Sequence, residues 1–232
     1  MFTIEIAKLK IRIDNRFDFV QRHCYDYIVD TDIFDFSVSV SDREMLAEKN
    51  ISTSSLSDGF IESVCIYRNI ARELPKYNAF LLHSAAIEND GFAYCFAAKS
   101  GVGKTTHISL WREVYPNSKI INGDKPIVRF FDDHPYVCGT PWGGKENLQS
   151  NVIVPLRSIC FLQRAEICNI EPIQPHTALT LILQQIYIDK TNADDTLDLL
   201  NKLLNNTDLW SLRCNISSFA ATLSFETMSK GI

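Results

Sequence analysis

A mixed α/β fold follows from three observations in the sequence. The nearly unbroken apolar run Gly91–Ala98 reads as a strand buried on both faces, and it leads straight into a glycine-bearing loop and a helix. Asn89-Asp90-Gly91 joins that run to Phe80–Ile87, and such a turn between apolar runs marks antiparallel neighbours, so the sheet departs from a pure βαβ order. Phe2–Ile6, Leu9–Ile13 and Phe34–Val40 alternate apolar with polar residues, as half-buried antiparallel strands do.

Those alternating segments predict a small α+β lobe over residues 1–75, with the main domain over 76–232. Ile51–Asp58 is polar and loop-like, and Asp58 is placed to cap a helix through Ile61, Val64, Cys65, Tyr67, Ile70 and Ala71, ending near Pro75. Beyond the loop, Ile108, Trp111 and Tyr115 recur at helical spacing, Leu110 and Val114 widen the stripe, and Pro116-Asn117 stops it. Further strands are expected at Lys119–Ile121, Pro126–Phe131, Tyr136–Cys138, Ile159–Leu162 and Leu209–Leu212. Helices are expected at about 175–187, at about 193–205 and at the end of the chain.

Composition excludes several classes. With 232 residues, 46% of them hydrophobic and 22% charged, the chain suffices for one core with a small appended lobe. A net charge of −5 and a pI near 5.5, without any Lys/Arg cluster, argue against a nucleic-acid partner. The first residues carry charge where a signal peptide needs an apolar core, and no run of 18 apolar residues occurs, so a cytoplasmic protein without a membrane partner is expected. Seven cysteines with no C-x-x-C pair read as reduced core thiols rather than a zinc site.

The loop itself carries the chemistry. A phosphate loop is Gly, four residues, then Gly-Lys-Ser/Thr; here Ala98 takes the first position and Gly103-Lys104-Thr105 the last three. Gly101 and Gly103 permit backbone conformations that turn the N–H groups of Ser100, Gly101, Val102, Gly103, Lys104, Thr105 and Thr106 toward phosphate oxygens. Lys104 places an ammonium against the β- and γ-phosphates of a nucleotide, and the Thr105 hydroxyl completes the coordination of a bridging Mg²⁺. Downstream, Gly143-Gly144-Lys145 has the flexibility to close over phosphates with Lys145 neutralising charge; alternatively Trp142 packs locally and Lys145 pairs with an acid. Arg157 and Arg164 reach phosphate or form ion pairs, and His107 faces the nucleotide or a turn.

The ordered motifs LLHSAAI, AAKSGVGKTTH, INGDKPIV, GTPWGGKEN and VPLRSICFLQR resemble the HPr-kinase-related group of P-loop proteins, whose nucleotide domain shares its fold with phosphoenolpyruvate carboxykinase. The resemblance is close over about residues 80 to 170 and looser toward the end of the chain. It implies an ATP- and Mg²⁺-dependent kinase acting on a hydroxyl of a peptide, protein or small molecule, and, because related kinases assemble, a homo-oligomer. In similar proteins an Asp-Asp pair divides metal binding from activation of the attacking hydroxyl. Here Gly123 stands at the first place, leaving Asp124 to bind the metal or serve as base. The resemblance also sets His83 beside the catalytic centre; a lone histidine in an apolar strand is otherwise a hydrogen-bonded core residue. The missing carboxylate leaves a second function open, a catalytically impaired nucleotide-binding module serving regulation or assembly.

Overall fold

The computed structural model describes residues 1–51 and 56–231. The chain opens with strands β1 (Phe2–Ile6) and β2 (Leu9–Asp14), a tight antiparallel hairpin whose Ile4, Ile6, Leu9, Ile11 and Ile13 are buried. Helix α1 (Asp18–His23), strands β3 (Ile28–Val29) and β4 (Phe36–Ser39), and helices α2 (Asp42–Ile51) and α3 (Asp58–Glu73) follow. The four strands make one sheet in the order β3-β1-β2-β4. β4 pairs with β2 in parallel, not antiparallel as the alternation suggested, because the chain crosses through α1 and β3 before returning. Residues 52–55 of the expected polar loop lie outside the described residues. Ser57, rather than Asp58, caps α3: its hydroxyl accepts the Phe60 N–H at 3.3 Å, while Asp58 pairs with Lys49 at 2.6 Å.

From Ala79 the chain builds a second, nine-stranded mixed sheet. Its elements are β5 (Ala79–Leu81), β6 (Ser84–Asn89), β7 (Phe92–Ala97), α4 (Lys104–Val114), β8 (Lys119–Asn122), β9 (Ile127–Phe131), β10 (His134–Cys138) and β11 (Ile153–Arg164). β12 (Asn169–Pro172), α5 (Pro175–Ile182), α6 (Ala193–Asn205), β13 (Asp208–Cys214) and α7 (Ser218–Met228) complete it. The strand order is β5-β9-β10-β11-β7-β6-β8, with β13 on β11 and β12 on β13. β6 and β7 are the antiparallel hairpin that Asn89-Asp90-Gly91 signals, and Asp90 and Gly91 take φ of +52° and +81° in its turn. β7 and β13 both run parallel to β11, which places the loop after β7 at the same end of the sheet as the carboxyl end of β11.

Alternation along β7 divides the core. Ala93, Cys95 and Ala97 pack with Ile159, Phe161 and the leucines of α6 on one face, while Tyr94 and Phe96 pack with Ile108, Trp111, Ala221 and Met228 on the other. Both faces are covered by helices, which is why the strand reads as an unbroken apolar run. The small lobe shares its core with the larger unit: Ile66, Ile70 and Leu74 pack in one cluster with Leu81, Ile127, Cys138 and Trp142. All seven cysteines are unpaired, and burial pushes the Cys95 and Cys138 thiols up to about 12. No helix among the described residues is long and apolar enough to cross a membrane.

His107 belongs to this core, not to a turn. Ser224 Oγ donates to the Ala221 carbonyl at 2.9 Å and accepts Trp111 Nε1 at 2.8 Å, so His107 Nε2, 3.1 Å away, must also donate. Burial lowers its pKa from 6.5 to about 4. The unfolded chain therefore takes up a proton below pH 6.5 that the folded chain refuses until about 4. Stability falls through that window as pH drops, by roughly 1.4 kcal/mol per pH unit from this residue. Urea unfolding of wild type and His107→Leu at neutral and mildly acid pH should show a shallower acid loss in the variant.

Candidate functional site

The site is assembled where β7 ends. Residues 98–103 form the connection to α4, with Gly101 at φ +81° and Gly103 at φ +122°, values that strain any side chain. No side chain caps α4, so its first-turn N–H groups remain available at the positive end of the helix dipole. Arg164, at the end of β11, holds the loop from the neighbouring strand: its Nε donates to Val102 O at 3.0 Å and a terminal nitrogen donates to Gly101 O. Its guanidinium thus shapes the loop's backbone. Arg157 instead faces Asp208 at 3.7 Å.

Lys104 is buried, with Nζ 3.0 Å from both the Ala98 carbonyl and His83 Nε2. Burial holds its pKa below the ordinary lysine value, and Lys125 adds to that, while Asp124 opposes it. His83 Nε2 also lies 3.2 Å from Asp124 Oδ1, and Asp124 Oδ2 pairs with Lys125 Nζ at 2.6 Å. A single ring nitrogen either accepts from Lys104 or donates to Asp124, so a ligand that draws the ammonium away fixes the His83 proton toward the carboxylate. Burial by itself would raise the Asp124 carboxyl, yet the hydrogen bond from His83 and the Lys125 charge hold it well below the usual carboxylate range.

His83 reaches this point because the expected continuous strand Phe80–Ile87 is broken. β5 ends at Leu81 and β6 begins at Ser84; between them the His83 N–H donates to the Gln185 carbonyl at 2.6 Å, and Leu82 bridges Ile186. The expected helix 175–187 correspondingly ends at Ile182, freeing residues 183–187 to make that contact.

Asn122, which sequence reasoning passed over, fixes the acid. Fully buried, it accepts the N–H groups of Asp124 and Lys125 at 2.9 and 2.7 Å through Oδ1, while its amide donates to Thr140. The Asn-Gly-Asp run was the available signal, since an Asn side chain bonding two residues ahead is a turn device. Gly123 has a steric role there. An added Cβ would stand 2.6 Å from the Gly143 carbonyl oxygen, and the Gly123 N–H donates to Leu148 O at 2.7 Å.

Lys145 faces the loop across a cavity of about 410 Å³ whose walls also include His83, Lys104, Thr105, Asp124 and Arg164. Ser100, Gly101, Val102, Gly103 and Thr106 line it as well. Glu146, a second acid that the sequence reading omitted, belongs to the same wall: its carboxylate and the Asp124 Cβ lie 3.7 and 3.1 Å from where a Gly144 Cβ would stand. Its signal was its place directly after Lys145. Trp142 does not enter the cavity; it stacks on Tyr67 with centroids 4.1 Å apart and donates to Ser63, tying the Gly-Gly-Lys loop to α3. A second cavity, about 430 Å³ and more apolar, adjoins the first through Val102, Gly103, Thr106, Arg164 and Ile216, with Leu110 and Leu162 farther in.

Comparison with known proteins adds little to this geometry. No family model matches the chain, and no curated protein matches it. Among solved structures, the HPr(Ser) kinase/phosphatase from Coxiella burnetii aligns with a TM-score of 0.37 at 9% identity, over 65% of this chain and 88% of that one. That likeness is too slight to carry fold detail or activity across.

Proposed function

We propose that the chain is an ATP-dependent phosphotransferase that moves the γ-phosphoryl group to a hydroxyl. The observation that carries this reading is the contiguous set Lys104 Nζ, His83 Nε2 and Asp124 Oδ1 beside a glycine loop that opens a helix. Three cations, Lys104, Lys145 and Arg164, against the two acids Asp124 and Glu146 give the cavity a net positive wall suited to a polyphosphate. The N–H groups of residues 100–106, apart from that of Val102, which donates to the Lys99 carbonyl at 3.3 Å, would hold the phosphates, and the adjoining apolar cavity would take the nucleoside.

The residues also suit Mg²⁺. Thr105 and Asp124 offer hard oxygens to one cavity, and among the described residues no group of three or more His, Cys, Asp or Glu could cage a metal alone. Mg²⁺ is ordinarily held by one or two protein oxygens together with waters and phosphates, and when bound it neutralises charge on the β- and γ-phosphates. Asp124, kept ionised by His83 and Lys125, is a poor base but a durable ligand and orienter. The base is therefore His83. With Lys104 engaged by phosphate, the ring accepts the acceptor's proton while Asp124 stabilises the resulting imidazolium.

Only one acid stands in the Asn122-Gly123-Asp124 turn, and this favours a second reading, a module that binds nucleotide without transferring phosphate. Thermal unfolding with ATP·Mg²⁺, followed by assay for ADP with hydroxyl acceptors, separates the two. Binding at a hundredfold excess over Kd should stabilise the fold by about 2.7 kcal/mol. Absence of any shift would overturn both readings, and a shift without transfer would leave the module.

A further inference from the structure

Beside His83 lies a cavity of about 320 Å³ between α3 and residues 184–187, with no residue of the glycine loop in its lining. His83 lines this cavity and the phosphate cavity alike, so one imidazole borders both spaces. The walls are mostly apolar: Val64 and Ala71 on α3, Leu81 at the end of β5, and Ile186, with the rings of Tyr67 and Tyr187. Its two cations are already compensated. Arg68 pairs with Glu48 at 2.6 Å and Lys125 with Asp124 at 2.6 Å. Gln185, only 6% exposed, also lines the space, and its side-chain carbonyl oxygen is buried without a hydrogen-bond partner. A buried acceptor of this kind costs about 1–3 kcal/mol while it stays unsatisfied.

We propose that this cavity is the acceptor site and that it takes a compact, neutral alcohol with an apolar body, its hydroxyl directed at His83. The volume sits at the low end for small-molecule pockets, the apolar walls disfavour a sugar or a free polar amino acid, and the paired cations leave no charge for an anion to answer. In the transfer step the alcohol oxygen bonds to the γ-phosphorus and the bond from that phosphorus to the β,γ-bridging oxygen breaks. The electron pair leaves with ADP, and the hydroxyl proton passes to His83 Nδ1, the ring nitrogen left unprotonated while Nε2 donates to Asp124. The inference rests on the phosphotransferase reading, although occupancy of the cavity is measurable without it.

Saturation-transfer NMR on the full chain with benzyl alcohol, 2-phenylethanol and cyclohexylmethanol, against serine and glycerol, tests occupancy. The apolar alcohols should bind and the polar ones should not. Ala71→Phe, which fills the cavity, should weaken binding at least tenfold while keeping the thermal shift with ATP·Mg²⁺; Val64→Phe, at a half-buried position, serves if Ala71→Phe does not fold. With ATP·Mg²⁺ present, wild type should form the phosphate ester of a bound alcohol and an equivalent of ADP. The proposal is overturned if no apolar alcohol binds, if serine or glycerol binds in preference, if the filling variants bind as wild type does, or if ATP and alcohol both bind without ester formation. Failure of the ATP shift alone, with alcohol binding intact, refutes the phosphotransferase reading and hence the acceptor role, but leaves the cavity as a binding site.

Discussion

Lys104→Met should remove most phosphoryl transfer while leaving the apo protein at least as stable as wild type. The two halves of this expectation have separate causes. Nζ sits between the Ala98 carbonyl and His83 in a buried position, and burial already depresses its pKa, so the folded state gains little from the charge. A methionine of similar length fills the space without an ammonium to desolvate. The same charge, however, is the buried cation nearest the loop, and loss of one preorganised donor to a developing phosphoryl charge costs roughly 10²–10³ in rate. Thermal unfolding and ADP formation measured on the same preparation check both. A variant that transfers phosphate at the wild-type rate contradicts the role assigned to Lys104, and one that unfolds well below wild type contradicts the energetic account.

Gly123→Asp should break the site rather than restore a second acid. The added Cβ meets the Gly143 carbonyl oxygen at 2.6 Å and the Leu148 side chain at 3.3 Å, and the new carboxylate would enter a buried position facing carbonyl oxygens. Backbone on backbone cannot yield as a flexible side chain would. Overpacking together with an unpaired buried charge places the expected loss at about 4 kcal/mol or more, with transfer activity lost as the Asn122 turn is displaced. Urea unfolding midpoints of Gly123→Asp and Gly123→Ala, with ADP formation, measure this; Ala should be the milder, at about 1–3 kcal/mol. Wild-type stability with increased turnover in the Asp variant would mean that the glycine marks a lost carboxylate after all.

Gly123 also shows where reading the sequence stops. The motif Ile-Asn-Gly-Asp displays an absent acid, whereas the reason for the glycine is a carbonyl 20 residues later, contributed by a loop whose path depends on Trp142 stacking against α3. The strand, loop and helix from 92 to 114 were legible because burial on both faces of β7 writes an apolar run, and the β6–β7 turn because Asn-Asp-Gly has a local conformational cause. The break at Leu82–His83 was not, since it is imposed by the Gln185 carbonyl and leaves no mark in the local pattern of Phe80–Ile87. β12 was missed for a similar reason: of its four residues only Ile170 is half-buried, at a sheet edge, and the rest are exposed. Arg164 was legible as a cation near the site, but its donation to the loop carbonyls depends on the parallel register of β11 with β7.

The central claim is that residues 99–106, 122–125 and 144–146 close around one bound ATP·Mg²⁺. Amide hydrogen exchange with and without saturating ATP·Mg²⁺ reads those backbones directly, since exchange slows where N–H groups gain partners or openings are suppressed. Protection concentrated in these three segments, absent in Lys104→Met, is the result expected. Unchanged exchange in residues 99–106 while nucleotide protects another part of the chain would contradict it.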